Sequence, residues 1–187
     1  MNSGEYSIME RLEEDHWWYL GLRDLIGRSI RKSLLTSGTQ HYSVLDAGCG
    51  TGANLRYLSQ ILQTSYLGGF DVAQEAVQAA RKKAPSADVY ISDLCAPELR
   101  AEWFDLVLSC DVLYVPGIER GAGGLKQIAS RIRPGGLLIL NLPAFEWLRS
   151  EHDLAIHTTE RYTKQQVIPL IESMGMKLEW MTYRLFF

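Results

Sequence analysis

Cysteine is scarce in this 187-residue chain, and what there is does not pair. Cys49, Cys95 and Cys110 are odd in number, lack Cys-x-x-Cys spacing and have no histidine pair beside them. A disulfide framework or a structural zinc site is not expected, no metal is assigned, and the thiols point to a reducing compartment, the cytoplasm. Cations are not in excess either. Lys and Arg total 19 against 22 Asp and Glu, for a net charge of -3. The chain thus lacks the clustered positive charge that neutralises phosphates, and direct nucleic-acid binding is not expected. The short runs Arg28/Arg31/Lys32 and Arg81/Lys82/Lys83 read as solvated helix faces. No apolar run approaches the roughly 18 residues that a membrane span needs, and Met1 to Glu14 are polar and acidic rather than signal-like. Linkers rich in Gly, Ser or Pro are missing as well, as are internal repeats, which leaves one domain over residues 1–187.

What the chain does have is an alternation of apolar runs of strand length with stretches of helical periodicity. Strands are expected near Tyr42–Ala47, Tyr66–Asp71, Ala87–Ile91, Phe104–Cys110, Leu137–Leu142 and Leu178–Phe187. Helices are expected near Trp18–Leu35, Ala53–Leu62, Ala73–Lys83, Leu125–Arg133 and Lys164–Met174, with Pro134-Gly135-Gly136 ending one of them and turning the chain into the fifth strand. Such an order predicts an α/β fold with a mostly parallel sheet flanked by helices. Residues 1–37 form a helical cap, and residues 38–187 form the core, with a loop at 143–163 inserted on the substrate side.

One stretch carries most of the chemistry. Val44-Leu45-Asp46-Ala47-Gly48-Cys49-Gly50-Thr51-Gly52 is an apolar run that ends in an acid and three alternating glycines. Glycine permits positive φ and leaves no Cβ in the way, so a ligand can lie against the main chain where the strand stops. Gly48-x-Gly50-x-x-Ala53 also satisfies the loose dinucleotide pattern, so a nicotinamide-dependent oxidoreductase is the alternative. A diphosphate seeks free N–H groups at a helix N-terminus and no fixed anion beside them. Asp46 supplies such an anion, and its carboxylate suits the ammonium of a zwitterionic amino acid. About 20 residues beyond the glycines, where a βαβ unit ends its second strand, stands Asp71, placed to accept hydrogen bonds from both hydroxyls of a ribose.

Asp-Ala-Gly-Cys-Gly-Thr-Gly at 46–52 resembles the first motif of the class I S-adenosylmethionine-dependent methyltransferases, and the likeness extends from about Glu14 to Phe187. It implies a Rossmann-like sheet that binds S-adenosyl-L-methionine across the ends of strands one to four. It also implies methyl transfer to a small-molecule acceptor, with S-adenosyl-L-homocysteine as product. The resemblance assigns Asp46, Gly48, Cys49, Gly50 and Gly52 to the methionine part, Asp71 to the ribose and Val72 to the adenine face. It gives Asp93 the adenine amino group, with Leu94 adding a backbone N–H and an apolar wall; Asp93 also suits a cap for the short Pro97–Ala101 segment. Phe104 to Tyr114 resembles the fourth motif, where Ser109 and Cys110 line the cofactor and Asp111 or Tyr114 faces the methyl group. Many relatives carry histidine after the Val-Leu pair, whereas this chain has Tyr114 and Val115, which leaves the acceptor chemistry open.

Two flanking segments bear on the acceptor. Glu14-Asp15-His16-Trp17-Trp18-Tyr19 followed by Arg23 recurs in a subset of these enzymes. It suggests an aromatic lid in which Tyr19 lies on the sulfonium and Arg23 meets the cofactor carboxylate, with a simple staple of the first helix as the alternative. The loop Ser150 to Tyr162 holds His152 and His157, candidate general bases, against the alternative of an Asp153–Arg161 ion pair. The family sheet has seven strands and only six are counted here, the last strand being missing. An apolar edge at Leu185-Phe186-Phe187 then suggests either a truncated sequence or a homodimer through that edge. Outside catalysis, a methyltransferase-like binding module is the further alternative.

Overall fold

The computed structural model describes residues 3–35, 40–113, 118–151, 153 and 158–184. Two helices come first, α1 (Ser3–Leu12) and α2 (Trp17–Ser29), the latter running into a π-helical turn at Ile30–Leu34. The α/β core follows as β1 (Tyr42–Ala47), α3 (Ala53–Ile61), β2 (Thr64–Asp71), α4 (Gln74–Lys83), β3 (Asp88–Ile91), β4 (Phe104–Cys110), α5 (Ile118–Ala129), β5 (Ile132–Asn141) and α6 (Lys164–Ser173). The five strands pair in the order β3-β2-β1-β4-β5. Every pairing is parallel.

The strand sequences explain why the sheet is covered on both sides. In β1, Val44 points into one core and Leu45 and Ala47 into the other; in β4, Leu106 and Leu108 go one way and Val107 the other. Such period-two alternation of apolar residues on both faces is what a central parallel strand requires. One layer is closed by α2, α3 and α4 through Leu22, Ile26, Leu55, Leu58, Val77 and Ala80, the opposite one by Leu125 and Ile128 of α5. Helix α6 opens with a reciprocal cap between Thr163 and Gln166 and packs Val167 and Ile171 near Leu138 and Leu140 of β5.

Three expectations need correction. Pro134-Gly135-Gly136 does not precede the fifth strand but lies inside it. β5 starts at Ile132, and its register jumps from Phe104↔Ile132 to Leu106↔Leu137, with Gly135 at φ 81. A bulge at a strand's entry uses the same residues as a helix-to-strand turn, which is why the two look alike in sequence. Second, residues 178–184 form no strand; the sixth candidate therefore fails over its described part, and Leu185, Phe186 and Phe187 lie outside the described residues. Third, Pro97–Ala101 is not helical: Asp93 closes a tight turn, accepting from the Cys95 N–H at 2.8 Å. In addition α1 lies within the expected helical cap at 1–37 but was not given as a separate helix.

Candidate functional site

Ligands of open parallel sheets bind beyond the carboxyl ends of the strands, where β1 and β4 diverge to opposite neighbours. At that point β1 delivers Asp46 and then a loop with Gly48 at φ 82, Gly50 at φ 52 and Gly52 at φ 90. The loop is seated on β2, because the N–H groups of Gly48 and Cys49 both donate to the Phe70 carbonyl at 2.9 Å. Asp71, at the end of β2, closes the arrangement: Oδ2 accepts from the Gly50 N–H at 3.0 Å and Oδ1 from the Ala73 N–H at 3.0 Å. The two motifs thus form one structure, with a second lone pair left on each Asp71 oxygen. Burial raises the Asp71 carboxyl above its ordinary range, offset in part by the backbone N–H groups of Ala73, Gly50 and Val72.

Asp46 is buried, and neither of its carboxylate oxygens has a hydrogen-bond partner. Burial, reinforced by the charge of Asp71, pushes it up to about 7. A buried acid without donors is a site waiting for one, and a cationic or N–H-bearing group is what satisfies it. The donor set therefore fits an adenosyl amino acid: an ammonium for Asp46, ribose hydroxyls for Asp71, and main chain without side chains between them. Val72, beside Asp71, leaves 69% of its surface open. Leu94 is different. Its side chain is committed to the core with Leu125, so only its backbone remains for a ligand. Ser109 is buried with its hydroxyl unpartnered, and Cys49 and Cys110 carry thiols that burial pushes well up.

The amino-terminal segment lies directly over this loop. A Cβ on Gly50 would stand 2.9 Å from the Met9 Cε of α1. Glu13, buried, accepts the Thr51 hydroxyl and pairs with Lys83 of α4. Arg23 donates to the Glu13 and Glu14 carbonyls at 2.6 and 3.1 Å, so it braces the turn between α1 and α2. Tyr19 stands edge-on to Trp18, with centroids 4.9 Å apart. Burial raises its phenol, as do the charges of Glu13 and Asp111.

Asp111 holds φ 58, an uncommon backbone for a residue with a side chain. Asn141 fixes it from β5: its Nδ2 donates to Asp111 Oδ1 at 2.8 Å, and its carbonyl accepts the Asp111 N–H at 3.0 Å. Burial pushes the Asp111 carboxyl up to about 6, against the pull of Arg184 and the Asn141 hydrogen bond. Tyr114, His152 and His157 lie outside the described residues. Of the loop near them, Asp153 is buried and takes the fork of Arg161, Nε to Oδ1 and Nη2 to Oδ2, each at 2.9 Å. Burial works against this acid, but Arg161 and the Ser150 hydrogen bonds outweigh it and hold Asp153 down at about 2. Among the described residues, no group of three or more His, Cys, Asp or Glu is placed to hold a metal. Nor is any helix among them long and apolar enough to cross a membrane.

Sequence reasoning missed Glu13, Asn141 and Arg184. Each acts across the fold, Arg184 reaching Trp18 from 166 positions away, and no local pattern announces such contacts.

A parallel sheet ending in this loop and acid defines a class I methyltransferase fold, and comparison with known proteins agrees. Residues 44–136 match the family described as "Methyltransferase domain", and the chain belongs with the S-adenosylmethionine-dependent methyltransferases. The malonyl-[acyl-carrier protein] O-methyltransferase of Salmonella typhimurium is 34% identical over 104 residues, 56% of this chain and 40% of that protein. The trans-aconitate 2-methyltransferase of Variovorax paradoxus is 29% identical over 54% of this chain and 38% of its own length. The chain thus spans about two fifths of these curated relatives. Among solved structures, the magnesium protoporphyrin IX methyltransferase of Synechocystis with bound S-adenosylhomocysteine aligns with TM-score 0.70 at 19% identity, over 93% of this chain and 85% of that one. The cofactor of this class is S-adenosylmethionine, and neither the oxidoreductase nor the binding-module alternative is favoured.

Proposed function

We propose that the chain transfers the methyl group of S-adenosylmethionine to a small-molecule acceptor. The observation that carries this is Asp46, a buried carboxylate with both oxygens unpartnered, one strand from an Asp71 that is bonded to the glycine loop itself. Asp46 takes the ammonium of the cofactor. Gly48, Cys49, Gly50 and Gly52 leave the main chain open to its methionine part, Asp71 grips the ribose, and Val72 and the backbone at Asp93 and Leu94 receive the adenine. Ser109 lines the floor and Tyr19 the roof near the sulfonium. Arg23 serves the site by holding the 13–14 turn over the loop.

The cofactor supplies an activated methyl group, so the chain's own work is proximity, alignment and exclusion of water. Asp111, held by Asn141 and raised by burial to about 6, is the residue that takes a proton from an acceptor that carries one. Tyr114, His152 and His157 remain candidates for the same task. By their names one relative methylates trans-aconitate, a small molecule, and the other a malonyl group carried on acyl-carrier protein, which supports a small acceptor group here. The unpaired outer edge of β5 among the described residues supports pairing with a second copy. Cys49, Cys95 and Cys110, none of them in a disulfide among the described residues, support a cytoplasmic location.

Thermal unfolding with S-adenosylhomocysteine and with NADH tests the proposal. At 100 times its dissociation constant the former stabilises the fold by about 2.7 kcal/mol and the latter leaves it unchanged. Stabilisation by NADH alone would overturn the reading.

A further inference from the structure

Helix α1 is fastened to the rest of the chain by very little apolar surface. None of its described side chains belongs to a buried apolar cluster, and Ile8 and Leu12 stand exposed. A helix of 10 residues is marginal on its own in water, so its contacts with the core decide whether it stays in place. Those contacts gather at the glycine loop. The Met9 methyl rests against Gly50, and Glu13, which donates its N–H to the Met9 carbonyl at 2.9 Å, follows the helix with a buried carboxylate.

Glu13 serves as a latch. It accepts the Thr51 hydroxyl and pairs with Lys83 at the end of α4, while Arg23 of α2 holds its carbonyl at 2.6 Å. The partners are as enclosed as the acid: Thr51 is 1% exposed and the Lys83 side chain 10%. Glu14 adds an outer pair, with Arg56 of α3 at 3.0 Å and with Lys83 at 3.7 Å. A buried ion pair gains little stability over apolar side chains of similar volume, and what it gives instead is register, because the charges are satisfied in one arrangement only. Here that arrangement runs through Thr51, which stands between Gly50 at φ 52 and Gly52 at φ 90. The neighbouring Gly50 N–H donates to Asp71, so a single loop conformation serves Glu13 and Asp71 together.

We propose that α1 is a strap latched on the cofactor loop: closure of Glu13 on Thr51 and Lys83 selects the loop conformation that binds the cofactor, and bound cofactor holds the strap closed. This rests on the methyl-transfer reading and adds to it a conformational control of the same site. Glu13 and Lys83 are positioning residues, acting through Thr51 rather than on the cofactor. The coupling is reciprocal, so the factor by which the cofactor lowers the open fraction of the strap equals the factor by which an open strap weakens the cofactor.

Hydrogen exchange of the full chain, with and without saturating S-adenosylhomocysteine, reads the strap through the backbone amides of Met9 to Glu13 and the core through those of β4. The ligand is expected to slow the strap amides about tenfold or more. Lys83→Met speeds them about tenfold in the free chain, leaves β4 protected and weakens S-adenosylhomocysteine about fivefold or more by calorimetry, whereas Lys83→Arg, which keeps the cation, stays within about twofold of the unmodified chain in both readouts. Strap amides that exchange equally with and without the ligand overturn the proposal. So does a Lys83→Met variant that leaves the strap as it was, or one that loosens it while affinity stays within about twofold, since α1 is then a cover with no hold on the loop. Should Lys83→Met lose protection in β4 as well, Thr51→Val, which leaves the ion pair whole, decides by the same two criteria. Failure of S-adenosylhomocysteine to bind the unmodified chain sinks the methyl-transfer reading, and this inference with it.

Discussion

The two ends of this site are built by different means. At the glycine loop, position is set by main chain: Gly48 and Cys49 hang from Phe70, Gly50 from Asp71, and the acids carry raised pKa values with few or no cationic partners. Beyond the ends of β4 and β5, position is set by side chains: Arg161 on Asp153, Asn141 on Asp111, Arg184 on Trp18, and tilted ring contacts of Phe145 with Trp147 and Tyr183. A backbone scaffold tolerates sequence change around it and serves a ligand common to a whole class. A side-chain scaffold changes with each substitution, which suits it to the part of a site that varies within one fold.

Breaking the side-chain end has the largest expected effect. Arg161→Met strands the Asp153 carboxylate in the interior and lowers unfolding free energy by about 3 kcal/mol, measured by urea denaturation. The same pair sets an acid limit. With the folded Asp153 held at about 2, below its ordinary value, its stabilisation is present above about pH 4 and is lost as pH falls toward 2. If the ends are separable, the variant still binds S-adenosylhomocysteine normally at a temperature where it is folded. A parallel loss of affinity would show that they are one unit.

Asp71→Ala attacks the backbone end. It removes the acceptor of two N–H groups and is expected to weaken S-adenosylhomocysteine at least tenfold by calorimetry, about 1.4 kcal/mol. Near-normal affinity would remove Asp71 from the ribose.

Asp46 sharpens the comparison through pH. Its carboxyl, raised to about 7, must ionise to hold an ammonium, so affinity for S-adenosylhomocysteine rises about tenfold from pH 6 to pH 8. Without ligand the sign is opposite. A folded-state pKa above the unfolded one means that stability falls as pH rises from about 4 to 7. Asp46→Asn should flatten both profiles, raising the melting temperature of the unliganded protein at pH 8 while weakening the ligand. The smallest effect is expected at the cover: Thr51→Val removes one hydrogen bond to Glu13, costs about 1 kcal/mol in denaturant and speeds proteolysis of α1.

The same contrast explains what could be read in advance. β1 and β4 begin and end where expected, since buried parallel strands are continuous apolar runs. The Asp46 and Asp71 motifs were legible because a backbone site leaves a fixed spacing in the chain. Asn141 and Arg184 were not, because side chains that meet from distant elements leave none. Pro134-Gly135-Gly136 misled because bulge and turn ask for the same residues, and Leu178–Phe187 because apolar alternation describes any half-covered extended segment.

Met9 gives the molecule a further property. Its methyl fills the space that a Cβ on Gly50 would need, so the bare glycine seats the first helix as well as opening the main chain. Oxidising that sulfur to the sulfoxide puts a polar group against the loop and is expected to loosen the helix there.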